Sequence, residues 1–267
     1  MAAMLAAFVE AYVYELSEHA MSASTLYKIK PENADMAYQN KVIFYVHGGG
    51  FTMGGGMASA YAAVPLAHRS RLSVYSIDYR MPPDHPFPCG LNDTVEAYKF
   101  VLSHHKPENI VVVGTSAGGG MAASLMLKAR DEGLAMPAAL VLQTPEIDLT
   151  ESGDTFTTND TIDVVLKHRL TESIALYADG HDLQDPYLSP IFGDFSKGFP
   201  PTILFSGTRD LFLSNTVRMH RALLRAGIEA ELHVFEAMPH GGFFTNTIED
   251  KELAEQVLTF IRRKLQL

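Results

Sequence analysis

Asn109-Ile110-Val111-Val112-Val113-Gly114-Thr115-Ser116-Ala117-Gly118-Gly119-Gly120 is the stretch from which the rest of the chain can be read. Ile110 to Val113 is a continuous β-branched run, the pattern of a short strand buried on both faces. Gly114 ends it, and from Ala117 to Asp131 the pattern becomes helical. A serine flanked by glycines at one residue's remove therefore stands at a strand-to-helix turn. Such a turn holds the serine in a strained backbone conformation with its hydroxyl exposed. The flanking glycines allow other backbone to approach closely. Gly-x-Ser-x-Gly alone is a weak signal, and its strand–turn–helix setting gives it meaning.

Working outward, similar buried-strand runs occupy Lys41–Val46, Leu72–Tyr79, Ala138–Gln143, Pro201–Ser206 and Ala230–Phe235, with a shorter candidate at Ser24–Lys30. Helical patterns lie at Asp93–Ser103, Ala117–Asp131, Asn215–Ala226 and Asp250–Leu265. This alternation predicts an α/β fold, a mostly parallel sheet with helices on both faces. At the N-terminus, Met4, Leu5, Phe8, Val9, Tyr12, Val13 and Leu16 form one apolar stripe at helical spacing. From about 150 to 198 no buried strand is expected, and a helical stretch near Ile162–Tyr177 reads as an insertion over the sheet. The expected organisation is one catalytic domain over 1–267, with cap elements at 1–20 and about 150–198.

The chain has 267 residues and a formal net charge of −10. An acidic surface repels phosphate backbones and anionic lipid, so neither nucleic acid nor a membrane surface is an expected partner. No stretch reaches the roughly 18 apolar residues of a spanning helix. Cys89 is the single cysteine, so no internal disulfide forms. The N-terminus lacks the basic start and cleavage site of a signal peptide. A cytoplasmic protein is the expectation.

A serine nucleophile needs a base, and the base needs an orienting acid. After the serine, the chain offers His168, His181, His220, His233 and His240. His240 stands out, because Met238-Pro239-His240-Gly241-Gly242-Phe243 is a loop between the last strand and the last helix. Asp210, four residues after Ser206, is the candidate acid, with Glu146 and Asp148 as alternatives after an earlier strand. His47-Gly48-Gly49-Gly50-Phe51 follows the first strong strand. Its glycine amides, with that of Ala117, form a candidate oxyanion hole. Phe51, Met53 and Phe243 flank these loops as candidate substrate contacts. Neither a dinucleotide nor a P-loop fingerprint is matched, and His104-His105 lacks metal-ligand spacing. No metal and no cofactor is expected.

Together these residues resemble the hormone-sensitive-lipase-like family of bacterial esterases, which has the α/β-hydrolase fold. The matches are HGGGF at 47–51, DYR at 78–80, HPFP at 85–88, GTSAGG at 114–119, DPYLSP at 185–190, GTRD at 207–210 and PHGGF at 239–243. The resemblance implies Ser116 as nucleophile, Asp210 as acid and His240 as base. It assigns the oxyanion amides to Gly49, Gly50 and Ala117, with Gly48 shaping the turn. It implies hydrolysis of short-chain acyl esters, a small-molecule substrate, no cofactor and, as in many members, a homodimer. Lactone or amide hydrolysis on the same triad and non-catalytic ligand binding are the alternatives. Thr115 stands where most members carry aspartate. Only 46 residues precede His47, so a shortened cap and an open cleft suited to short acyl chains are expected.

Overall fold

The structure is a computed structural model describing residues 2–244 and 247–267. An N-terminal helix, α1 (Ala2–Val9), leads into an antiparallel strand pair, β1 (Tyr14–Ala20) and β2 (Thr25–Pro31). There follow β3 (Val42–Val46), α2 (Met57–Ser70), β4 (Ser73–Asp78), α3 (Cys89–His104), β5 (Ile110–Thr115), α4 (Ala117–Asp131) and β6 (Ala139–Gln143). The insertion carries the one-turn helix α5 (Thr155–Thr158) and α6 (Thr171–Ala178). The chain closes with β7 (Thr202–Gly207), α7 (Leu213–Arg225), β8 (Ala230–Phe235) and α8 (Ile248–Leu265).

The eight strands form one sheet in the order β1-β2-β4-β3-β5-β6-β7-β8. β1 and β2 pair antiparallel, as do β2 and β4, and every later pair is parallel. The period of two along each strand sorts the core into two layers. Phe44, Val112, Leu142 and Leu204 face α3, α4 and α7, while Ile43, Val111, Val141 and Ile203 face α2 and α8. All eight of these side chains are buried, which is why the strands read as unbroken apolar runs.

Topology places the cleft. From β3 the chain crosses to β4 on one side, and from β5 it crosses to β6 on the other. The loops leaving the C-terminal ends of β3 and β5 therefore diverge, and that switch point is where open parallel sheets bind ligands. The register sets Val46 beside Gly114, so the loop after Val46 starts next to the Thr115–Ser116 turn.

The N-terminal segment differs from expectation. The apolar stripe is helical only to Val9, and Tyr14 to Ala20 is the outermost strand, paired residue for residue with β2. Tyr12 and Leu16, four apart, fit a helical stripe, while Tyr12, Tyr14 and Leu16 alternate as a strand does, and pairing with β2 decides between them. The helical stretch expected near 162–177 narrows to α6, starting at Thr171.

Candidate active site

β5 ends at Thr115, and Ser116 takes φ 58° and ψ −128°, a conformation outside the ordinary regions for a side-chain-bearing residue. Backbone bonds hold it there. Ser116 N–H donates to Gln143 O, while Ser116 O accepts from the amides of Gly119, Gly120 and Glu146. Thr115 Oγ1–H donates to Gln143 Oε1 at 3.0 Å, which ties the turn to the end of β6. A Cβ at Gly118 would lie 2.2 Å from Val46 O and 2.3 Å from His47 O, so only glycine lets α4 start this close to β3.

Asp210 follows β7 by three residues and His240 follows β8 by five. The structure brings both to Ser116. His240 Nε2 lies 2.9 Å from Ser116 Oγ, and His240 Nδ1 lies 2.9 Å from Asp210 Oδ1. Asp210 is fully buried and accepts two further bonds, from Phe212 N–H at 2.9 Å and Ser206 Oγ–H at 2.6 Å. The ring of Phe212 meets the imidazole edge to face, 4.9 Å between centroids. A carboxylate on Nδ1 leaves Nε2 as the acceptor facing the serine hydroxyl.

The alternative acids sit elsewhere. Asp148 holds Arg218, Thr150 and Ser152. Glu146 accepts from Asn215, its other oxygen is unpartnered, and burial raises its carboxyl well above the usual range. Of the other histidines after the serine, His168 is exposed, His181 bonds Ala178 O and His233 stacks on Phe205.

The loop after β3 is built from His47. Its Nδ1–H donates to Gly48 O at 2.7 Å, its ring stacks on Tyr79 at 4.2 Å, and Tyr79 Oη–H donates to His47 O. Burial lowers the imidazole pKa to about 4, so the ring stays neutral. Gly49 has φ 124°, and a Cβ there would lie 2.1 Å from Met53 O. Gly48 packs against Thr115 and Ser116. Among the described residues, no protein acceptor takes the amides of Gly49, Gly50 or Ala117. Ala117 is also the first residue of α4, where the helix dipole favours negative charge.

The three expected substrate contacts sit differently. Phe51 is 2% exposed and stacks on Tyr177 at 4.3 Å, fastening the loop to α6. Met53 is exposed beside Gly54, Asp78 and Arg80, in a surface cleft of about 560 Å³ that Ser116 does not line. Phe243 packs into the core layer under α8. The insertion supplies what sequence reasoning missed: Leu170 and Ser173 approach Gly50, and Asp163 reaches the acid and base loops. In Ile162-Asp163-Val164-Val165 the three apolar side chains are exposed and the carboxylate is buried, the reverse of what residue type alone suggests.

Asp163, Asp210 and His240 bring ligand-type atoms within 4.8 Å of one another. Their lone pairs are engaged by N–H and O–H donors, so this grouping is a hydrogen-bond network. No described helix is long and apolar enough to cross a membrane.

Comparison with known proteins agrees with this fold. A family model described as the α/β hydrolase fold matches residues 43–244. An esterase of Acinetobacter venetianus is 28% identical over 205 residues, covering 76% of this chain and 67% of its own. One esterase crystal structure superposes with a TM-score of 0.91 at 33% identity, over 99% of this chain and 81% of that one. A second, of an esterase from the bacterial hormone-sensitive lipase family, gives 0.90 at 31% identity, over 99% and 89%. The chain belongs to the α/β-hydrolase fold family and, within it, to the bacterial hormone-sensitive lipase family.

Proposed function

We propose that the protein is a serine carboxylesterase that hydrolyses short-chain acyl esters through Ser116, His240 and Asp210. The observation that carries this reading is the unbroken relay of two 2.9 Å contacts, Ser116 Oγ to His240 Nε2 and His240 Nδ1 to Asp210 Oδ1. Relatives named as esterases support the reaction class.

The Ser116 hydroxyl attacks the ester carbonyl carbon while His240 Nε2 takes its proton. Asp210 holds the ring with Nδ1–H toward itself and stabilises the imidazolium. The carbonyl oxygen becomes an oxyanion facing the amides of Gly49, Gly50 and Ala117, with Gly48 shaping the turn. Donors fixed before reaction stabilise this charge by roughly 3–4 kcal/mol each. His240 then gives its proton to the departing alkoxide oxygen. Water attacks the acyl-Ser116 carbonyl with His240 again as base, releasing the carboxylic acid and restoring the serine.

The insertion over 150–198 acts as the cap, and Leu170 bounds the acyl side of the cleft near Gly50. The net charge of −10 disfavours nucleic acid and anionic membrane surfaces as partners, and a small-molecule substrate and a cytoplasmic setting belong to this reading. A homodimer belongs to the same reading.

Ser116→Ala and His240→Ala should each lower kcat on 4-nitrophenyl butyrate by at least about 10³-fold while the protein stays folded. Near wild-type turnover in either folded variant refutes the assignment.

A further inference from the structure

The side chain of Asp163 is fully buried, although it comes from the insertion and not from the sheet. Its two oxygens accept four backbone amides. Oδ1 takes Val165 N–H at 2.9 Å and Leu166 N–H at 3.0 Å, within its own turn. Oδ2 takes Leu211 N–H at 3.0 Å and His240 N–H at 3.1 Å, the latter shared with Oδ1 at 3.3 Å. Leu211 directly follows Asp210. One carboxylate therefore grips the backbone of the acid loop beside the acid and the backbone of the base itself.

The same turn grips the acid loop a second time, with opposite polarity. Asn159 Nδ2–H₂ donates to Asp210 O at 2.8 Å and to Thr208 O at 3.2 Å. Asp163 N–H closes the turn on Asn159 O. An acceptor and a donor one helical turn apart thus meet amides and carbonyls of the same loop.

The two loops leave different strands, β7 and β8. At their bases they are joined by Thr208 N–H to Phe235 O, Arg209 N–H to Met238 O and Ala237 N–H to Thr208 Oγ1. Beyond those bonds, among the described residues, their backbones are joined by hydrogen bonds through Asp163. Further out, among the described residues, lie the His240–Asp210 contact itself and the ring of Phe212 against the imidazole. A misplacement on the order of 1 Å in a reacting group can lower a rate about 10²-fold. The bridge therefore sits where small displacements matter.

We propose that Asp163 is a positioning residue. It sets the distance between the acid and base loops, and so makes the insertion a part of the hydrolytic site rather than a cover only. The inference rests on reading Ser116, His240 and Asp210 as a hydrolytic triad.

Asp163→Asn preserves shape but turns an NH₂ toward amides that need an acceptor. The expected result on 4-nitrophenyl butyrate is a fall in kcat of at least 10-fold with KM within twofold. The downfield Nδ1–H proton resonance of His240 should also be displaced or lost, in a protein still folded by circular dichroism. Wild-type kcat with an unmoved resonance overturns the proposal. So does a lowered melting temperature with that resonance unmoved, because Asp163 would then be structural only.

If Asp163→Asn does not fold, Asn159→Ala decides. A loss of at least threefold in kcat at constant KM, with a displaced resonance, supports the bridge, and wild-type values for both overturn it. A wild-type protein without ester turnover would instead defeat the esterase reading. The resonance comparison would still judge Asp163.

Discussion

Ser116 combines two demands that ordinary residues do not meet together: a hydroxyl held out to His240 Nε2 at 2.9 Å and a backbone at φ 58°, ψ −128°. A conformation of this kind stores on the order of 1–3 kcal/mol and persists only where its surroundings fix it. Here the fixing comes from Gln143 O, from three amides on Ser116 O and from the close seat of Gly118 on β3. Gly118→Ala puts a methyl 2.2 Å from Val46 O. It should lower unfolding free energy by about 1–3 kcal/mol in urea titration and reduce kcat more than a distant variant of equal stability. Equal losses in both would mean that the turn does not hold the serine. Thr115, the departure from the usual aspartate, is accounted for by its bond to Gln143, which links the ends of β5 and β6. Ser116, Asp210 and His240 were legible because each lies in a loop whose glycines and prolines mark a turn after a strand. Asp163 was not, because its partners Leu211 and His240 lie 48 and 77 residues away.

At the scale of elements, the buried parallel strands were read nearly to the residue, since both faces are covered and their composition admits little else. Among the longer elements, two escaped. Tyr14–Ala20 pairs on one edge only and covers Tyr14, Leu16 and His19 only in part, so its pattern blended into the stripe before it. The helix α2 carries Pro65 in its interior, which removes one backbone donor and argues locally against a helix. Its burial of Ala60, Ala63, Val64 and Ala67 on the sheet outweighs that loss. The insertion owes its placement to polar contacts: Glu151 accepts from Leu170 N–H and Thr171 Oγ1–H and so fixes the start of α6 beside Gly50. If Leu170 bounds the acyl side, Leu170→Ala should shift the best substrate toward longer acyl chains. Across acetate to octanoate 4-nitrophenyl esters, kcat/KM should rise for octanoate relative to acetate by about 10-fold, the worth of one or two methylenes. An unchanged chain-length profile would remove Leu170 from the pocket.

For the whole molecule, two buried titratable groups set opposite limits on pH stability. His47 titrates near 4 when folded because burial disfavours its charged form, while an unfolded histidine titrates near 6.5. Its contribution is complete above the unfolded value and is lost as pH falls toward 4. Glu146 is the reverse case. Burial, then the nearby Glu151, raises its carboxyl, so its contribution is present below the unfolded value of 4.5 and is lost as pH rises through the folded value. Glu146→Gln keeps the Asn215 contact and removes the ionisation. Guanidinium titrations at pH 5, 7 and 9 should show the variant gaining on the wild type as pH rises, whereas a constant difference would mean that Glu146 ionises freely in the fold. The central claim is that Ser116 is the nucleophile, and covalent capture tests it most directly. After treatment with diethyl 4-nitrophenyl phosphate, peptide mass spectrometry should locate one diethylphosphoryl group on Ser116, in proportion to the esterase activity lost. Activity lost with Ser116 unmodified, or Ser116 unreactive in a protein that still turns over ester, would contradict the account.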